Sequence, residues 1–242
     1  MKTRTIFRNT TLVLLAGFTF VSCNDYEEEL DVITDVYVIN KMFDNEVKSA
    51  TAYFAYGNKE LMSVSVAFPN SAGNVALEGY PGSIYTMAKE PKDADYKTTA
   101  PVNGNYSFTI QSADGETQQV PDLLSYEGLD IPEFTKTTFS GTPLILDLEW
   151  SDVTDADGYV VKMLDTDGKL VFNGYSVGGD VNKYTVTGMS SSGFWGTPAV
   201  NGESYVLQLN AFSYDAEANI SNYVYNLSEI SLVETQIVWG EN

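Results

Sequence analysis

The sequence predicts an all-β protein built from two tandem β-sandwich domains. Tyrosine is the commonest aromatic residue, with 16 copies, and tyrosine, valine and threonine all favour strands. From residue 32 onward, short alternating runs of apolar and polar residues are separated by turn residues, without a sustained helical period. About 220 residues follow the leader described next, which matches two domains of about 100 residues each.

Residues 1–22 have the features of a lipoprotein signal peptide. Residues 1–8 are basic, and the apolar run at 11–20 is shorter than the about 20 residues that a transmembrane helix needs. The run ends at Val21-Ser22-Cys23, and Cys23 is the only cysteine. This resembles the bacterial lipobox, which implies cleavage before Cys23 and its lipidation, with palmitate among the acyl chains. The alternatives are that Cys23 is a buried structural thiol, or that cleavage occurs elsewhere and Cys23 is incidental.

An acidic tether follows at residues 23–31. The acidic cluster just after Cys23 consists of Asp25, Glu27, Glu28 and Glu29. From the residues alone, the run is a solvated, disordered tether. It also resembles the surface-export signal of Bacteroidota-type lipoproteins. That resemblance implies a lipid-anchored protein on the outward face of the outer membrane, with the lipid as its only membrane contact.

The first domain is predicted at residues 32–120, with strands at 36–42, 49–56, 62–68, 75–77, 83–87, 106–112 and 117–120. Tyr106, Phe108 and Ile110 alternate with polar residues and therefore share one strand face. Asp114-Gly115 then predicts a tight hairpin. The pattern resembles an immunoglobulin-like β-sandwich. Residues 121–142 alternate poorly and contain proline and glycine, so we predict a linker there.

The second domain is predicted at residues 143–242, with strands at 144–150, 159–163, 169–173, 183–187 and 202–212. The first strand points Leu144, Leu146, Leu148 and Trp150 inward. Ala-x-Gly-Tyr at 156–159 and Gly-x-x-Tyr-x-Leu-x-Leu-x-Ala at 202–211 resemble a fibronectin type III domain. The resemblance implies that Trp150 is a core residue and that Tyr205 forms a tyrosine corner. Residues 231–239 form either an extra edge strand or a return to the first domain.

The charge balance excludes several kinds of chemistry. The chain has 33 acidic and 13 basic residues and no histidine, and every basic residue after the leader is a lysine. The body therefore lacks Ser-His-Asp or Cys-His catalysis, histidine-ligated metal and bidentate arginine contacts with phosphate. A strongly negative surface also repels nucleic acid. We expect no nucleic-acid partner, and a ligand that is neutral or cationic.

Asp155 and Asp157 raise the question of a calcium site. They lie on one loop, and carboxylate oxygens suit Ca²⁺. Placing Gly158 at position six of a calcium loop puts Val153 at position one and Leu164 at position twelve, so the EF-hand template fails. Aspartate and glycine are also ordinary turn residues. Turn chemistry and a structural Ca²⁺ are the two alternatives, and no other cofactor is predicted.

Three aromatic residues are predicted to contact a ligand. Trp195 and Phe194 lie in a segment of small residues with no strand pattern, and Tyr80 lies in Gly-Tyr-Pro-Gly. Such side chains stack on sugar rings or anchor a protein partner. The alternative for Trp195 is a loop aromatic that folds back and caps the end of the sandwich.

These observations favour binding over catalysis. No pair of carboxylates has a spacing that singles it out for glycoside hydrolysis, and small sandwiches offer little concave volume. We expect a non-enzymatic cell-surface lipoprotein that binds extracellular glycan or host-surface material. The alternative is a structural or interaction role as a subunit of an outer-membrane complex, an adhesin or a surface spacer, with a cell-surface protein as partner.

Overall fold

The computed structural model describes residues 28–188, 191–216, 218 and 226–242. The signal peptide, Cys23, Asp25 and Glu27 lie outside these residues, so the expectations about them stay predictions. Within the described part of the chain, no helix is long and apolar enough to cross a membrane.

The described residues form seventeen strands and two short 3-10 helices. The strands are β1 (Val32–Phe43), β2 (Glu46–Gly57), β3 (Leu61–Ala67), β4 (Asn74–Ala76), β5 (Glu78–Gly79), β6 (Thr86–Lys89), β7 (Gly104–Ser112), β8 (Thr117–Leu124), β9 (Phe134–Ser140), β10 (Ile145–Trp150), β11 (Gly158–Leu164), β12 (Leu170–Gly174), β13 (Val177–Gly178), β14 (Lys183–Thr187), β15 (Gly193–Trp195), β16 (Ser204–Tyr214) and β17 (Leu227–Val238). The 3-10 helices are Pro69–Ser71 and Asp93–Asp95.

One ten-stranded sheet runs through both halves of the molecule. Its path is β15-β12-β11-β16-β17-β1-β2-β6-β5, and β13 pairs with β11 off this path. A four-stranded sheet, β4-β3-β7-β8, and a three-stranded sheet, β14-β10-β9, complete the fold. The prediction of an all-β protein with two tandem sandwiches is confirmed. The sequence did not predict that the two sandwiches share a sheet.

β17 is the strand that joins the two sandwiches. It pairs antiparallel with β16, where Leu209 lies opposite Val233. It also pairs parallel with β1, where Val38 lies opposite Glu229. Residues 231–239 therefore return to the first sandwich, and the alternative of an extra edge strand is wrong, because β17 lies between β16 and β1 inside the shared sheet.

Both small sheets cover the same face of the shared sheet. Val38 of β1 belongs to the N-terminal core and lies beside Glu229 of β17. Ile237 is on the same face as Glu229, because side chains alternate along a strand, and it belongs to the C-terminal core. Neither small sheet covers the opposite face, which has Ile39, Phe212 and Ile230 at its centre. We call it the back face.

The N-terminal sandwich packs β1 and β2 against β3, β7 and β8. Phe108 and Ile110 of β7 are fully buried and Tyr106 nearly so, as the alternation predicts. The Tyr106 hydroxyl donates a hydrogen bond to the Val102 carbonyl oxygen at 3.0 Å. Leu30 is also buried in this core, and its N–H donates to a Glu116 carboxylate oxygen at 2.8 Å. The predicted tether is therefore already part of the domain at Leu30.

The C-terminal sandwich packs β9, β10 and β14 against the other half of the shared sheet. Trp150 is 2% exposed, and its ring centroid lies 5.3 Å from that of Tyr159. The Tyr205 hydroxyl accepts a hydrogen bond from the Val200 N–H at 2.9 Å. Tyr205 thus makes the bond to upstream backbone that defines a tyrosine corner.

Part of the predicted linker, residues 121–142, consists of strands. Pro121 lies within β8 and pairs with Ser107, and β9 occupies Phe134–Ser140. β8 and β9 each lie at the edge of a small sheet, where a proline is tolerated and one side of the strand faces solvent. Their alternation is therefore weak in the sequence. Among residues 121–142, the stretch 125–133 between β8 and β9 belongs to no strand.

Candidate functional site

Tyr80 occupies the first position of a turn at the β5 edge of the shared sheet. The Ser83 N–H donates to the Tyr80 carbonyl oxygen at 3.1 Å, with Pro81 and Gly82 between them. Gly82 has a φ of 85°, and proline followed by a residue with positive φ is the signature of a type II turn. The Tyr80 N–H donates to the Thr86 carbonyl oxygen at 3.0 Å, which fastens the turn to β6.

A cavity of about 550 Å³ lies beside this turn. We call it the Tyr80 cavity, and it is lined by Glu78, Gly79, Tyr80, Pro81, Ala88, Lys89, Glu90, Pro91 and Lys92. The Tyr80 side chain is about half exposed, and its ring stacks on none of the other described aromatic rings. The cavity therefore offers an accessible aromatic ring between two prolines, with carboxylates and amines around it.

The charges at the rim of this cavity are partly paired. The Lys89 ammonium donates to a Glu78 carboxylate oxygen at 2.7 Å. That hydrogen bond lowers the pKa of Glu78 and raises the pKa of Lys89. Both groups therefore stay charged around neutral pH. The remaining lone pairs of the Glu78 carboxylate and the remaining protons of the Lys89 ammonium can bond to the hydroxyl groups of a ligand.

Trp195 lies in a strand rather than in the predicted loop. Its indole N–H donates to the Thr187 carbonyl oxygen at 2.9 Å. Its ring centroid is 4.7 Å from that of Phe172 and 5.7 Å from that of Trp239. This arrangement agrees with the alternative that the ring folds back onto the sandwich, because both its polar atom and part of its surface are used for packing.

Phe194 points to the back face, opposite to Trp195. It is 65% exposed, and its ring centroid lies 5.3 Å from that of Tyr175, which is 44% exposed. β15 is an end strand of the shared sheet, so this aromatic pair lies at an open sheet edge. We call it the Phe194 edge. An exposed aromatic pair at a strand edge suits contact with a protein partner.

The structure does not bring the three predicted contact residues together. Tyr80 follows β5 and Phe194 lies in β15, and these two strands are the opposite ends of the shared sheet. Eight strand spacings of about 4.8 Å separate them, roughly 40 Å along the sheet. The molecule therefore has two separate candidate surfaces rather than one site.

Asp155 and Asp157 lie beside a cavity between the two sandwiches. The cavity has a volume of about 340 Å³ and also contains carboxylates of Glu127, Asp215 and Glu229. Asp157 accepts a hydrogen bond from the Tyr214 N–H at 2.8 Å, and Asp155 has a φ of 64°. Within the described ranges, no three acidic or cysteine side chains are arranged to hold a metal ion. Asp155 thus has a left-handed turn conformation, and Asp157 connects the loop before β11 to the end of β16.

A polar network that the sequence did not predict lies at the junction of β1 and β17. Glu229 is 1% exposed, and its carboxylate accepts hydrogen bonds from the Gly128 N–H at 3.0 Å and from the Asn40 side-chain amide. Asn40 in turn accepts a hydrogen bond from the Ser49 hydroxyl at 2.5 Å. Asn40 lies on the same inward strand face as Val36 and Val38. A polar residue at an inward position needs a buried hydrogen-bond partner, so the alternation could have indicated this network.

Asp35 is the most perturbed carboxyl group at this junction. Burial, and then the negative charges of Asp122 and Asp215, raise the pKa of Asp35 to about 8. The Leu227 N–H donates to this carboxyl group at 3.1 Å, which opposes the shift only in part. Asp35 is therefore largely protonated at neutral pH and joins the two strands as a neutral group.

Comparison with known proteins gives no family assignment. No family model matches the chain, and no curated protein matches it. The tetra-tandem repeat in the extending region of a large adhesion protein is a solved structure that matches 86% of this chain and 50% of its own, at 12% identity and a TM-score of 0.24. The chain thus spans about half the length of that structure, and so low a score supports no inference about function.

Proposed function

We propose that the protein is a non-catalytic, cell-surface lipoprotein that binds extracellular glycan or host-surface material through the Tyr80 cavity. The observation that carries the proposal is that the half-exposed Tyr80 lines a cavity of about 550 Å³. Sugar rings have apolar faces that stack on aromatic side chains, and their hydroxyl groups bond to carboxylates and amines. The cavity combines both kinds of group, with Glu78, Glu90 and Lys92 around the ring.

The turn that carries Tyr80 is fixed in ways that favour binding. Its backbone hydrogen bonds to Thr86 and Ser83 are made within the protein. The lining of the cavity also includes Pro81 and Pro91, whose backbone φ angles are restricted. A ligand that binds here orders few side chains, which reduces the entropic cost of association.

The lipid anchor is the part of this proposal that is supported by the sequence motif at Cys23 and not by the structure. Exposed Glu28 and Glu29 lead into the buried Leu30, and the Asn58 side-chain amide donates to the Glu29 carbonyl oxygen at 2.9 Å. Residues 23–27 would then link Cys23 to a fixed point on the N-terminal sandwich. Replacement of Glu27, Glu28 and Glu29 with alanine, followed by protease treatment of whole cells, tests the export signal. Unchanged protease sensitivity would argue against that signal.

The binding proposal is tested with the fragment from residue 24 to residue 242, which contains every residue of both hydrophobic cores. We expect binding on a glycan array, and loss of that binding in Tyr80→Ala. Phe194→Ala is the matched control, because it removes an exposed aromatic ring at the other end of the sheet. Trp195→Ala tests the contact residue predicted from the sequence. Absence of binding, or equal binding by wild type and Tyr80→Ala, would contradict the proposal.

A second candidate function is a structural or interaction role, as an adhesin, a surface spacer or a subunit of an outer-membrane complex. The Phe194 edge favours it, because Phe194 and Tyr175 expose aromatic surface beside the free strand β15. Crosslinking on cells followed by purification through a C-terminal tag tests this role. Recovery of a specific surface protein with wild type, but not with Phe194→Ser, would support it over glycan binding.

A further inference from the structure

The back face carries a half-buried lysine in the middle of the C-terminal half of the shared sheet. Lys162 lies in β11 between Val161 and Met163, both of which are buried in the C-terminal core. Alternation therefore places Lys162 on the opposite face. There it is flanked by Gln208 of β16 and Asn173 of β12. Its stem lies along the sheet instead of extending freely into solvent.

A cavity of about 290 Å³ lies beside this lysine. Its walls are mainly apolar, and it is lined by Val160, Lys162, Ser176, Asn210, Phe212, Tyr214, Leu227 and Ile230. The polar side chains of Ser176, Asn210 and Tyr214 are the other hydrogen-bonding groups in this lining. The Asn210 amide donates to the Val160 carbonyl oxygen at 3.2 Å, which holds its side chain in place. We call it the Lys162 cavity.

Lys162 lacks the contacting counter-ion that four other lysines of this acidic protein have. Lys41, Lys59, Lys89 and Lys136 each form an ion pair with a carboxylate. Lys162 forms none with any residue that the structure describes. Burial lowers its pKa, and the charge of Glu90 acts in the opposite direction. A partly desolvated ammonium that has no carboxylate in contact with it is costly, so an anion brought into contact gains more than it would at an exposed lysine.

We propose that the Lys162 cavity binds a small amphipathic carboxylate. The carboxylate pairs with the Lys162 ammonium, and the hydrocarbon part lies against Phe212 and Ile230. A chain of about eight carbons fits a cavity of this size. This site is separate from the Tyr80 cavity. Its ligand is an anion, whereas the overall acidic charge of the protein favours neutral or cationic ligands.

Titration of the fragment 24–242 with octanoate, followed by NMR or calorimetry, tests the proposal. We expect saturable binding of one octanoate per chain. Lys162→Met keeps the apolar stem and removes the charge, and we expect it to weaken binding by about tenfold or more. Lys169→Met, which removes an exposed lysine from the turn before β12, is the matched control and is expected to bind as wild type does. Octanol, which lacks the carboxylate, is expected to bind as weakly to wild type as octanoate binds to Lys162→Met.

Two further variants make the test specific for the cavity. Ile230→Glu places a second negative charge beside the hydrocarbon part, and we expect it to abolish binding. Tyr80→Ala alters the Tyr80 cavity alone and is expected to bind octanoate normally, so this proposal can fail or succeed independently of glycan binding. No saturation up to about 10 mM octanoate would overturn the proposal. Equal binding of octanoate and octanol, or unchanged binding in Lys162→Met, would overturn it as well.

Discussion

The two sandwiches share a design and differ in where they place their large aromatic residues. In each, a Val-Asn-Gly segment precedes a buried tyrosine whose hydroxyl bonds to that valine, Tyr106 with Val102 and Tyr205 with Val200. All three tryptophans, however, belong to the C-terminal sandwich, where Trp150 and Trp239 are buried and Trp195 packs against Trp239.

The C-terminal sandwich therefore uses its tryptophans for packing, whereas the N-terminal sandwich exposes a tyrosine beside a cavity. In the N-terminal sandwich, Tyr80 projects from a turn beside a cavity. In the C-terminal sandwich, the indole N–H of Trp195 is bonded to the Thr187 carbonyl oxygen. A tryptophan is therefore a poor guide to a binding surface in this protein, because its size makes it more useful as a core residue.

The variant with the largest expected effect tests whether the two sandwiches unfold independently. Phe108 is fully buried in the N-terminal core, and Phe108→Ala is expected to cost about 3–5 kcal/mol of unfolding free energy. Because β17 joins the two cores, we expect this variant also to lower the urea midpoint measured by tryptophan fluorescence, which reports on the C-terminal sandwich alone. Leu123→Ala, at an exposed position of β8, is the control. A fluorescence midpoint that stays at the wild-type value would show that the sandwiches unfold separately.

The second prediction concerns Asp35, at the junction of the sandwiches. Its pKa is about 8 in the folded protein and near 3.8 when unfolded, so its contribution to stability is complete below about pH 4. That contribution is lost as the pH rises towards 8, at roughly 1 kcal/mol per pH unit. Asp35→Asn is expected to match wild type at pH 4 and to exceed its stability at pH 8.

Urea denaturation at several pH values checks the Asp35 prediction. Asp167→Asn, at an exposed turn position, is the matched control and is expected to leave the pH profile unchanged. If Asp35→Asn and wild type lose stability in parallel between pH 4 and pH 8, the buried carboxyl group does not titrate as the structure indicates.

The third prediction concerns Glu229, which bonds across the same junction. Glu229→Ala leaves the Gly128 N–H and the Asn40 amide without their acceptor, and we expect a loss of about 2–3 kcal/mol. Glu229→Gln keeps one acceptor oxygen and is expected to lose less. Thermal and urea denaturation measure both. Equal stability of wild type and Glu229→Ala would mean that the network contributes nothing to the joining of the sandwiches.

The smallest expected effects come from removing the two tyrosine hydroxyls and comparing the loss of stability in each sandwich. Tyr205→Phe leaves the Val200 N–H without its acceptor, and Tyr106→Phe leaves the Val102 carbonyl oxygen without its donor. We expect each to cost about 1 kcal/mol, with the larger loss for Tyr205→Phe because unpaired N–H groups are tolerated less well than carbonyls. Denaturant midpoints of the two variants measure the difference. A larger loss for Tyr106→Phe would reverse this ranking.

The sequence predicted those parts of the fold that depend on local alternation. The inward faces of Tyr106, Phe108 and Ile110, and of Leu146, Leu148 and Trp150, follow from the period of two along a strand. The pairing of β1 with β17 does not, because it is parallel and joins residues about 190 positions apart. Alternation shows which side chains of β17 share a face, but it does not identify the neighbouring strand.

The candidate sites were predicted only in part for similar reasons. The turn at Tyr80 has a local signature in Pro81 and Gly82, so its exposure could be predicted. The opposite wall of its cavity comes from Glu90 and Pro91, which no local pattern places there. β15 has three residues, too few to show a period, and so Trp195 was predicted to lie in a loop. No local pattern distinguishes Lys162, because lysines are common on the outward faces of strands.

The position of β17 also has a consequence for the order in which the molecule is assembled. β17 follows the other described strands in the sequence, yet β1, the first of them, forms its parallel ladder with it. A ribosome that has released everything up to β16 has made two incomplete sandwiches with unpaired edges facing each other. Contacts that span the chain in this way form slowly, and tandem domains ordinarily fold one after the other during synthesis. Here the twelve residues of β17, which follow both halves in the sequence, decide when both halves close.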